Sequence, residues 1–472
     1  MLFPTATFAL FFLIVLPLSW LLMPRPHRWR PFMIVASYVF YGWWDWRFVF
    51  LLAGCTLWNQ VLAVRIWRAD AASHRRALLL LALTGNLAVL GYFKYYDFFV
   101  TSSDNLATIV GIDLPLEVKS IVLPVGISFF TFMAISYVVD AYRGTFQPTS
   151  LEKFAVYLAF FPHLVAGPIV RPGELIPQLD KPRNPRRVDT SRAFYLIATG
   201  LFKKVVIANY LAGSIVDDVF GAPTEHSSLE ILIAVYAYAV QIYADFSGYT
   251  DIAIGLALLL GYAFPQNFDS PYAATSLQDF WRRWHMTLSR WLRDYLYIPL
   301  GGSRGRRIFT YRNLMLTMLI GGLWHGAAWT FVVWGAIHGV GLALERWWRE
   351  RPGYVARPPT TWSTWRNRIV TFNVVCLAWI FFRAESFDVA WQMITGLFTG
   401  WGEPSPLVTS GVLLAIAVGI GSQYLPARWP RLVMRRFGQL PVAGQAVVLA
   451  LALMLVNAMG PEGVAPFIYF QF

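Results

Sequence analysis

The sequence predicts an all-α polytopic membrane protein with about eleven transmembrane helices. Of the 472 residues, 57% are hydrophobic and 14% are charged, which is more apolar surface than a soluble fold of this length can bury. Apolar stretches close to the ~20 residues that cross a bilayer recur along the whole chain. The clearest are residues 2–22, 77–96, 120–139, 193–216, 229–262, 369–382, 408–424 and 441–459.

The first apolar stretch is expected to remain as a helix, because it has neither a basic segment before it nor a small-residue cleavage site after it. The formal charge of +13 comes from short basic clusters between apolar stretches, so membrane topology explains it better than nucleic-acid binding. With the N-terminus outside, the positive-inside rule puts the loop Asp97–Glu117 outside. It puts these basic stretches in the cytoplasm: 25–30, 65–76, 282–312, 346–368 and 428–436.

The apolar run 154–170 is expected to be re-entrant or broken. Both of its flanks are basic, so a crossing here would interrupt the alternation of inside and outside loops. The run contains "FPHLVAGP", with Pro162 and Pro168, and proline disrupts a helix interior.

A single membrane domain over residues 1–472 is the simplest organisation, because the chain has no internal repeat and no linker rich in Pro, Gly or Ser. The two cysteines, Cys55 and Cys376, both lie in apolar runs. A disulfide between them is not expected, and their spacing does not suggest a metal site.

The stretch "SLQDFWRRWHMTLSRWLRDYLYIPLGGSRGRR", residues 276–307, predicts an interfacial helix. Large apolar residues recur at three- and four-residue steps between Leu277 and Tyr295, and arginines fill the other side. Such a helix lies at the cytoplasmic surface and does not cross. His285 is expected at the rim between the two faces, where it either anchors the helix or takes part in chemistry.

The glycine-rich end of this stretch carries Arg304, Arg306 and Arg307. Flexible backbone N–H groups beside guanidinium groups suit a phosphate or pyrophosphate. Anionic lipid headgroups would be bound by the same residues, and the pattern does not separate the two ligands.

The segment "AVQIYADFSGYTDIAIG" places Asp245 and Asp251 within an apolar run. A carboxylate at the centre of a bilayer costs about 2.5 to 3.5 kcal/mol, so such residues face a cavity or a partner. A structural polar network and a ligand or proton site are both consistent with the pattern. The two aspartates lie about 120° apart around a helix, which does not favour a paired-carboxylate mechanism.

The stretch "GGLWHGAAWTFVVWGAIHG" holds two histidines in apolar surroundings. His325 lies between glycines that allow close approach, and Trp324 and Trp329 supply apolar walls. A buried neutral imidazole is a ready general base, although a satisfied core histidine is the alternative. His338 follows thirteen residues later, about 220° around a continuous helix, so it is expected in the core and outside any site that His325 forms.

Taken together, several ordered motifs resemble the membrane-bound O-acyltransferase family, and its bacterial branch in particular. The resemblance is strongest over residues 31–385 and implies a ring of about eleven helices around a funnel in which acyl transfer occurs. Its motifs are "FPHLVAGPIVRP", "YADFSGYTDIAIG", "QNFDSPY", "FWRRWHMTLSRWLRDYLYIPLGG", "GGLWHG" and the C-terminal "PFIYFQF".

The resemblance implies catalytic roles for His325 and His285. His325 would take the proton of an acceptor hydroxyl, and His285, Trp324 Nε1 or backbone N–H groups would stabilise the oxyanion. No bound cofactor or metal is expected, and the donor substrate would be acetyl-CoA or a similar thioester. Substrate or donor binding is expected from Trp324, Asp245, Asp251, Asn267, Arg282, Arg283, Arg304, Arg306 and Arg307.

The resulting hypothesis is a bacterial inner-membrane O-acetyltransferase that acts on an extracytoplasmic polysaccharide through a periplasmic partner protein. Alginate is the first choice of acceptor, another exopolysaccharide such as cellulose the second, and peptidoglycan acetylation or teichoic acid D-alanylation follow. A transporter or flippase for a glycan intermediate is the alternative from another class, but such proteins commonly carry inverted repeats, which this sequence lacks. A non-catalytic scaffold is the third hypothesis.

Overall fold

The computed structural model describes residues 1–112, 118–119, 121–355 and 358–460. Within these ranges all regular structure is helical, which confirms the predicted fold class of an all-α polytopic membrane protein. The C-terminal motif "PFIYFQF" lies outside the described residues.

The first of two compact units comprises Met1–Asp189 and Leu256–Pro265. Its α-helices are Ala6–Leu22, Pro26–Gly42, Arg47–Arg68, Ala72–Leu90, Tyr96–Ile109, Ile127–Arg143, Leu151–Ala159, Phe161–Leu164 and Pro172–Leu175. A π-helical turn, Gly91–Tyr95, joins the fourth and fifth of these helices, and short 3-10 turns occupy Ile176–Asp180 and Pro185–Arg187.

The second unit comprises Thr190–Gly255 and Gln266–Phe472. Its first helical stretch, Thr190–Gly221, contains π-helical turns at Phe202–Ala208 and Ala212–Val216, and the helix Ser228–Leu259 follows it. The later helices are Leu277–Arg283, Met286–Trp291, a π-helical Leu292–Tyr297, Arg307–His325, Trp329–Glu350, Thr361–Arg383, Phe387–Thr399, Ser410–Gly421, Arg428–Gly438 and Val442–Met459. Short 3-10 turns occupy Pro223–Glu225, Pro271–Ala273 and Ser422–Tyr424.

Each of the eight clearest apolar stretches coincides largely with a helix. By length and composition, five helices of the described chain can cross a membrane, and a sixth is added if the pair Ser410–Tyr424 and Arg428–Gly438, bent by 92°, is counted as one span. Helices such as Ala6–Leu22, with 17 residues, fall short of that length. The count of eleven and the ring around a funnel therefore stay predictions.

Two predicted boundaries in the first unit were wrong. The loop predicted to start at Asp97 starts after Ile109, because the helix from Ala72 continues through the π-helical turn. The apolar stretch predicted from residue 120 becomes helical only at Ile127, because Gly126 takes a left-handed φ of 78°. A Cβ on Gly126 would lie 2.3 Å from the carbonyl oxygen of Leu164, so only glycine fits at this position.

The run 154–170 is broken, as predicted. The helix Leu151–Ala159 ends three residues before Pro162, a single turn Phe161–Leu164 follows, and the chain then continues without regular structure to Arg171. Every residue from Phe154 to Val170 is buried. The segment is thus a core element of its unit and not a simple crossing helix.

The two long helical stretches at the start of the second unit cross where both carry glycine. A Cβ on Gly200 would lie 2.6 Å from the carbonyl oxygen of Gly248, and a Cβ on Gly248 would lie 2.7 Å from that of Gly200. Small residues at a crossing let the two backbones approach closely. This close approach sets Lys203 and Lys204 of one helix against Asp245 and Asp251 of the other.

Candidate active site

His325 is the last residue of the helix Arg307–His325, and it lies at a tight turn between two closely packed helices. The next helix, Trp329–Glu350, begins four residues later. A Cβ on Gly322 would lie 2.2 Å from the carbonyl oxygen of Phe331, and one on Gly335 would lie 2.3 Å from that of Met318. The glycines of the motif therefore permit the backbone contact that holds His325 at the helix end.

Aromatic rings surround His325. The ring centroids of Trp324, Trp334 and Phe382 lie 4.9, 5.0 and 5.3 Å from that of His325, and the residue is 2% exposed. The predicted apolar walls are present, but Trp329, one of the two predicted wall residues, is 54% exposed. Trp334 and Phe382 close the site in its place.

The prediction for His338 rested on a continuous helix and was wrong on that point. Because the helix ends at His325, His338 belongs to the next helix, and Trp334 contacts both histidines, with centroid distances of 5.0 and 4.9 Å. The indole N–H of Trp281 donates to Nδ1 of His338 at 3.3 Å. His338 is therefore a hydrogen-bonded histidine behind the wall of the site.

The interfacial helix predicted between Leu277 and Tyr295 is also interrupted. It ends at Arg283, and a new helix begins at Met286. Between them His285 has a left-handed φ of 40°, which is uncommon for a residue other than glycine. The break has a specific cause, because the backbone carbonyl of Asn267 accepts from the N–H of Met286 and its side-chain Oδ1 accepts from the N–H of Thr287.

The break moves His285 from the predicted rim to the interior. His285 is 0% exposed and packs edge-on against Phe246 at 4.7 Å. Its ring centroid lies 6.5 Å from that of His325 and 6.0 Å from that of Trp324. The structure thus brings together the three residues that the motifs "WRRWH" and "GGLWHG" singled out.

Burial lowers the pKa of His285 to about 3. The imidazolium form is disfavoured because burial removes the ring from water. His285 is therefore neutral at physiological pH, and one of its two nitrogens carries a lone pair.

Asn267 is fully buried and makes its contacts with the protein itself. Its Oδ1 accepts from Nδ1 of His285 at 3.1 Å and from the hydroxyl of Thr287 at 2.8 Å. Asn267 therefore supports His285, and its expected role in substrate binding stays a prediction. Sequence spacing gave no sign of this contact, because 18 residues separate the two side chains along the chain.

Asp245 and Asp251 each form an ion pair with a lysine. Lys204 pairs with Asp245 in the interior, where the two side chains are 3% and 4% exposed, and Lys203 pairs with Asp251 at 2.7 Å. These pairs account for both carboxylates without a ligand, so substrate binding by either aspartate stays a prediction. The adjacent lysines inside an apolar run could have indicated the pairing, since buried charges require partners.

The predicted arginines do not form one site, and of these only Arg282 lines the cavity described next. Arg282, Arg290 and Arg293 line a cavity of about 410 Å³, together with Trp281, Met286, Tyr297 and Met318 among others. Arg304, Arg306 and Arg307 are exposed and do not line this cavity. Nε of Arg307 lies 3.8 Å from Oε2 of Glu350. Arg283 donates to Asp279 at 2.8 Å. Arg290 and Arg293 line the cavity but were not among the residues expected to bind the donor.

Among the described residues, no group of three or more His, Cys, Asp or Glu side chains is arranged to hold a metal ion. Polar side chains close to the histidine pair include the amide of Asn267, the hydroxyl of Thr287 and the indole of Trp324. Such a set suits proton transfer and hydrogen bonding to an organic substrate.

Comparison with known proteins extends these observations. A family model described as "MBOAT, membrane-bound O-acyltransferase family" matches residues 78–390. The chain is 44% identical to a protein of Azotobacter vinelandii named "Probable alginate O-acetylase AlgI", over 79% of this chain and 74% of that protein. It is 38% identical to the peptidoglycan O-acetyltransferase of Helicobacter pylori, over 77% and 73% of the two chains. It is 28% identical to the teichoic acid D-alanyltransferase of Streptococcus thermophilus, over 54% and 67%.

Proposed function

The chain belongs to the membrane-bound O-acyltransferase family and is an O-acyltransferase, and from this premise we propose that it moves acetyl groups from a cytoplasmic thioester to an extracytoplasmic polysaccharide. The observation that carries the proposal is the buried pair His285 and His325, which share one aromatic-walled site. The bacterial relatives support placement in the inner membrane.

His325 is the general base in this proposal. It removes the proton of the acceptor hydroxyl as the oxygen attacks the thioester carbonyl. The new C–O bond forms, the C–S bond breaks, and the proton passes from His325 to the leaving thiolate. Trp324, Trp334 and Phe382 limit access of water, which suppresses hydrolysis of the thioester.

The arginine-lined cavity is the proposed entry for the carrier of the acyl group. Arg282, Arg290 and Arg293 supply positive charge at one side of it, and Met286 and Met318 supply apolar contact. Phosphates of a carrier such as coenzyme A suit the guanidinium groups. Met286 lines this cavity and directly follows His285 in the chain, and in the proposal the thioester end of the carrier passes from the cavity to the histidine pair.

The acceptor is assigned from the relatives. The similarity to proteins named as alginate O-acetylases makes alginate the first candidate, and the similarity to a peptidoglycan O-acetyltransferase makes peptidoglycan the next. In this proposal the acetyl group leaves the site on the periplasmic side, where a partner protein passes it to the polysaccharide.

Replacement of His325 by Ala tests the proposal. Removal of a general base typically lowers turnover by about 10²- to 10⁴-fold, so O-acetyl groups on the extracellular polysaccharide should fall to the level of a strain without the protein. His338→Asn is the matched control, because it changes a second buried histidine against Trp334 and keeps an acceptor for Trp281. Immunoblotting of membranes establishes that both variants accumulate. Near-normal acetylation by His325→Ala would exclude the catalytic role.

A further inference from the structure

Asn267 holds its side-chain amide in one orientation. Its Oδ1 faces the backbone N–H of Thr287 at 3.1 Å, and a backbone N–H can only donate. The atom at this position must therefore be the amide oxygen and not the amide nitrogen. The amide nitrogen lies on the other side, 3.5 Å from the hydroxyl oxygen of Thr250.

This orientation fixes the tautomer of His285. Nδ1 of His285 lies 3.1 Å from the same Oδ1, which can only accept, so Nδ1 must carry the hydrogen. In a neutral imidazole the lone pair is then on Nε2. Nε2 is buried and has no hydrogen-bond partner among the described residues.

We propose that Asn267 is a positioning residue that fixes His285 as the Nδ1–H tautomer, so that Nε2 of His285 accepts a hydrogen bond from the amide N–H two carbons from the sulfur of a pantetheine thioester. The inference rests on the proposed function, because it requires a thioester donor. It excludes His285 as a donor to the oxyanion, since a neutral ring in this tautomer offers no hydrogen at Nε2.

The choice of ligand follows from the hydrogens that the reactants carry. The acceptor hydroxyl has one hydrogen, and His325 takes it in the proposed reaction. The rings of His285 and His325 are too far apart for a direct hydrogen bond, with centroids separated by 6.5 Å. Of the N–H and O–H groups that a pantetheine thioester carries, the one closest to the reacting carbonyl is the amide N–H two carbons from the sulfur. A buried acceptor without a partner is costly, and this N–H would satisfy it.

The tautomer can be measured without any substrate. Solid-state ¹⁵N NMR of histidine-labelled protein in lipid vesicles distinguishes protonated from unprotonated ring nitrogens. Because the chain has seven histidines, the His285 signals are identified by their loss in His285→Gln. We expect a protonated Nδ1 and an unprotonated Nε2 for His285. A protonated Nε2 in the wild-type protein would overturn the inference.

Substitutions of Asn267 and Thr287 distinguish a positioning role of Asn267 from a role in folding. Asn267→Asp keeps an acceptor for both Nδ1–H and the Thr287 N–H, and should keep the tautomer. Asn267→Leu removes the acceptor, and loss of this hydrogen bond should lower activity about 3- to 10-fold. Thr287→Val is the matched control, because it removes one donor to Asn267 and leaves the contact with His285. An Asn267→Leu protein that keeps the Nδ1–H tautomer would contradict the role of Asn267.

The ligand is tested with two small donors, S-acetyl-N-acetylcysteamine and its N-methyl derivative, which lacks the amide hydrogen. One hydrogen bond corresponds to about 3- to 10-fold in apparent affinity, so the wild-type protein should show a lower KM for the first donor and His285→Leu should show equal values. Acetyl-CoA and an acetylated acyl carrier protein, offered separately, identify the carrier of the pantetheine arm. Equal KM values in the wild-type protein would overturn the ligand assignment. If no donor supports transfer while NMR finds the expected tautomer, the proposed function fails and the role of Asn267 stands.

Discussion

His285 and His325 are both buried, but different features of the protein hold them. His325 lies at a helix end fixed by glycine contacts and aromatic rings. His285 lies at a helix break and is held by a directional hydrogen bond to Asn267. The hydrogen bond to Asn267 fixes which nitrogen His285 presents to the site, whereas His325 moves a proton in the proposed reaction. The two residues are therefore suited to different tasks in the same site.

His285→Asn is expected to keep partial activity. The shorter amide can still donate to Asn267, so the helix break is preserved, while the acceptor at the position of Nε2 is lost. His325 remains as the base. We expect a raised KM for the thioester and a smaller change in turnover, as measured with purified protein. His285→Ala, which loses both contacts, is the control and should be less active than His285→Asn. Turnover of His285→Asn as low as that of His325→Ala would indicate that His285 itself transfers a proton.

At the residue scale, the sequence identified the two histidines but not the contact that orients one of them. Glycines and tryptophans around His325 are local in sequence, so its surroundings could be predicted. Asn267 meets His285 only after the chain folds back over 18 residues. Periodicity describes one helix face and carries no information about such a contact.

The pairing of Thr190–Gly221 with Ser228–Leu259 depends on a buried ion pair between Lys204 and Asp245. Lys204→Met is expected to destabilise the protein by about 3 to 5 kcal/mol, because it leaves a buried carboxylate without its partner. The double variant Lys204→Met/Asp245→Leu should recover much of this loss. Thermal unfolding of the purified variants in detergent measures this effect. Immunoblotting of membranes shows how much of each variant accumulates.

The neighbouring pair gives the control for this prediction. Lys203 and Asp251 are 27% and 22% exposed, so water compensates part of the lost charge in Lys203→Met. Lys203→Met should therefore be milder than Lys204→Met. If the double variant is less stable than Lys204→Met alone, the pair is needed for more than charge balance.

A separate prediction concerns the affinity of the interfacial segment, residues 276–307, for the acyl donor. The double variant Arg282→Gln/Arg293→Gln alters two arginines of the cavity. It should raise the KM for acetyl-CoA by at least about tenfold, because charge-assisted hydrogen bonds contribute about 1.5 to 3 kcal/mol each. The effect on turnover at saturating donor should be smaller. The assay uses purified protein in neutral detergent, which removes anionic lipid.

A matched double variant, Arg304→Gln/Arg306→Gln, changes two exposed arginines outside the cavity. Its donor curve should be close to wild type if these residues contact only lipid headgroups. A large increase in KM for this variant alone would move the phosphate site to the glycine-rich loop, as the sequence pattern suggested.

At the element scale, helix existence was predictable and helix breaks were not. The eight apolar stretches are long and carry few charges, so burial of apolar side chains decides their conformation. The breaks at His285 and Gly326 and the late start at Ile127 depend on contacts with distant backbone or side-chain atoms. These contacts outweigh the helical preference of the flanking residues.

For the whole molecule, composition identified a membrane protein, because 57% hydrophobic residues exceed what a soluble protein can bury, and the length of the apolar stretches identified it as helical. The direction of each crossing rests on the distribution of basic residues between the apolar stretches. The same rule predicts that the proposed carrier enters from the cytoplasm, since the cavity arginines belong to a stretch that the rule places there.

Cysteine labelling in intact cells tests the orientation and the entry side together. The side chain of Ile112 is 54% exposed in the wild-type protein. Ile112→Cys should therefore react with an impermeant maleimide from the periplasm after the outer membrane is opened. Arg186→Cys and Arg306→Cys lie at exposed positions and should react only after the inner membrane is permeabilised. The native Cys55 and Cys376 are 8% and 2% exposed, so background labelling of these two residues should be low. Labelling of the wild-type protein measures this background. Periplasmic labelling of Arg306→Cys would place the basic stretch outside, and a cytoplasmic carrier could then not reach the histidine pair from the arginine-lined cavity.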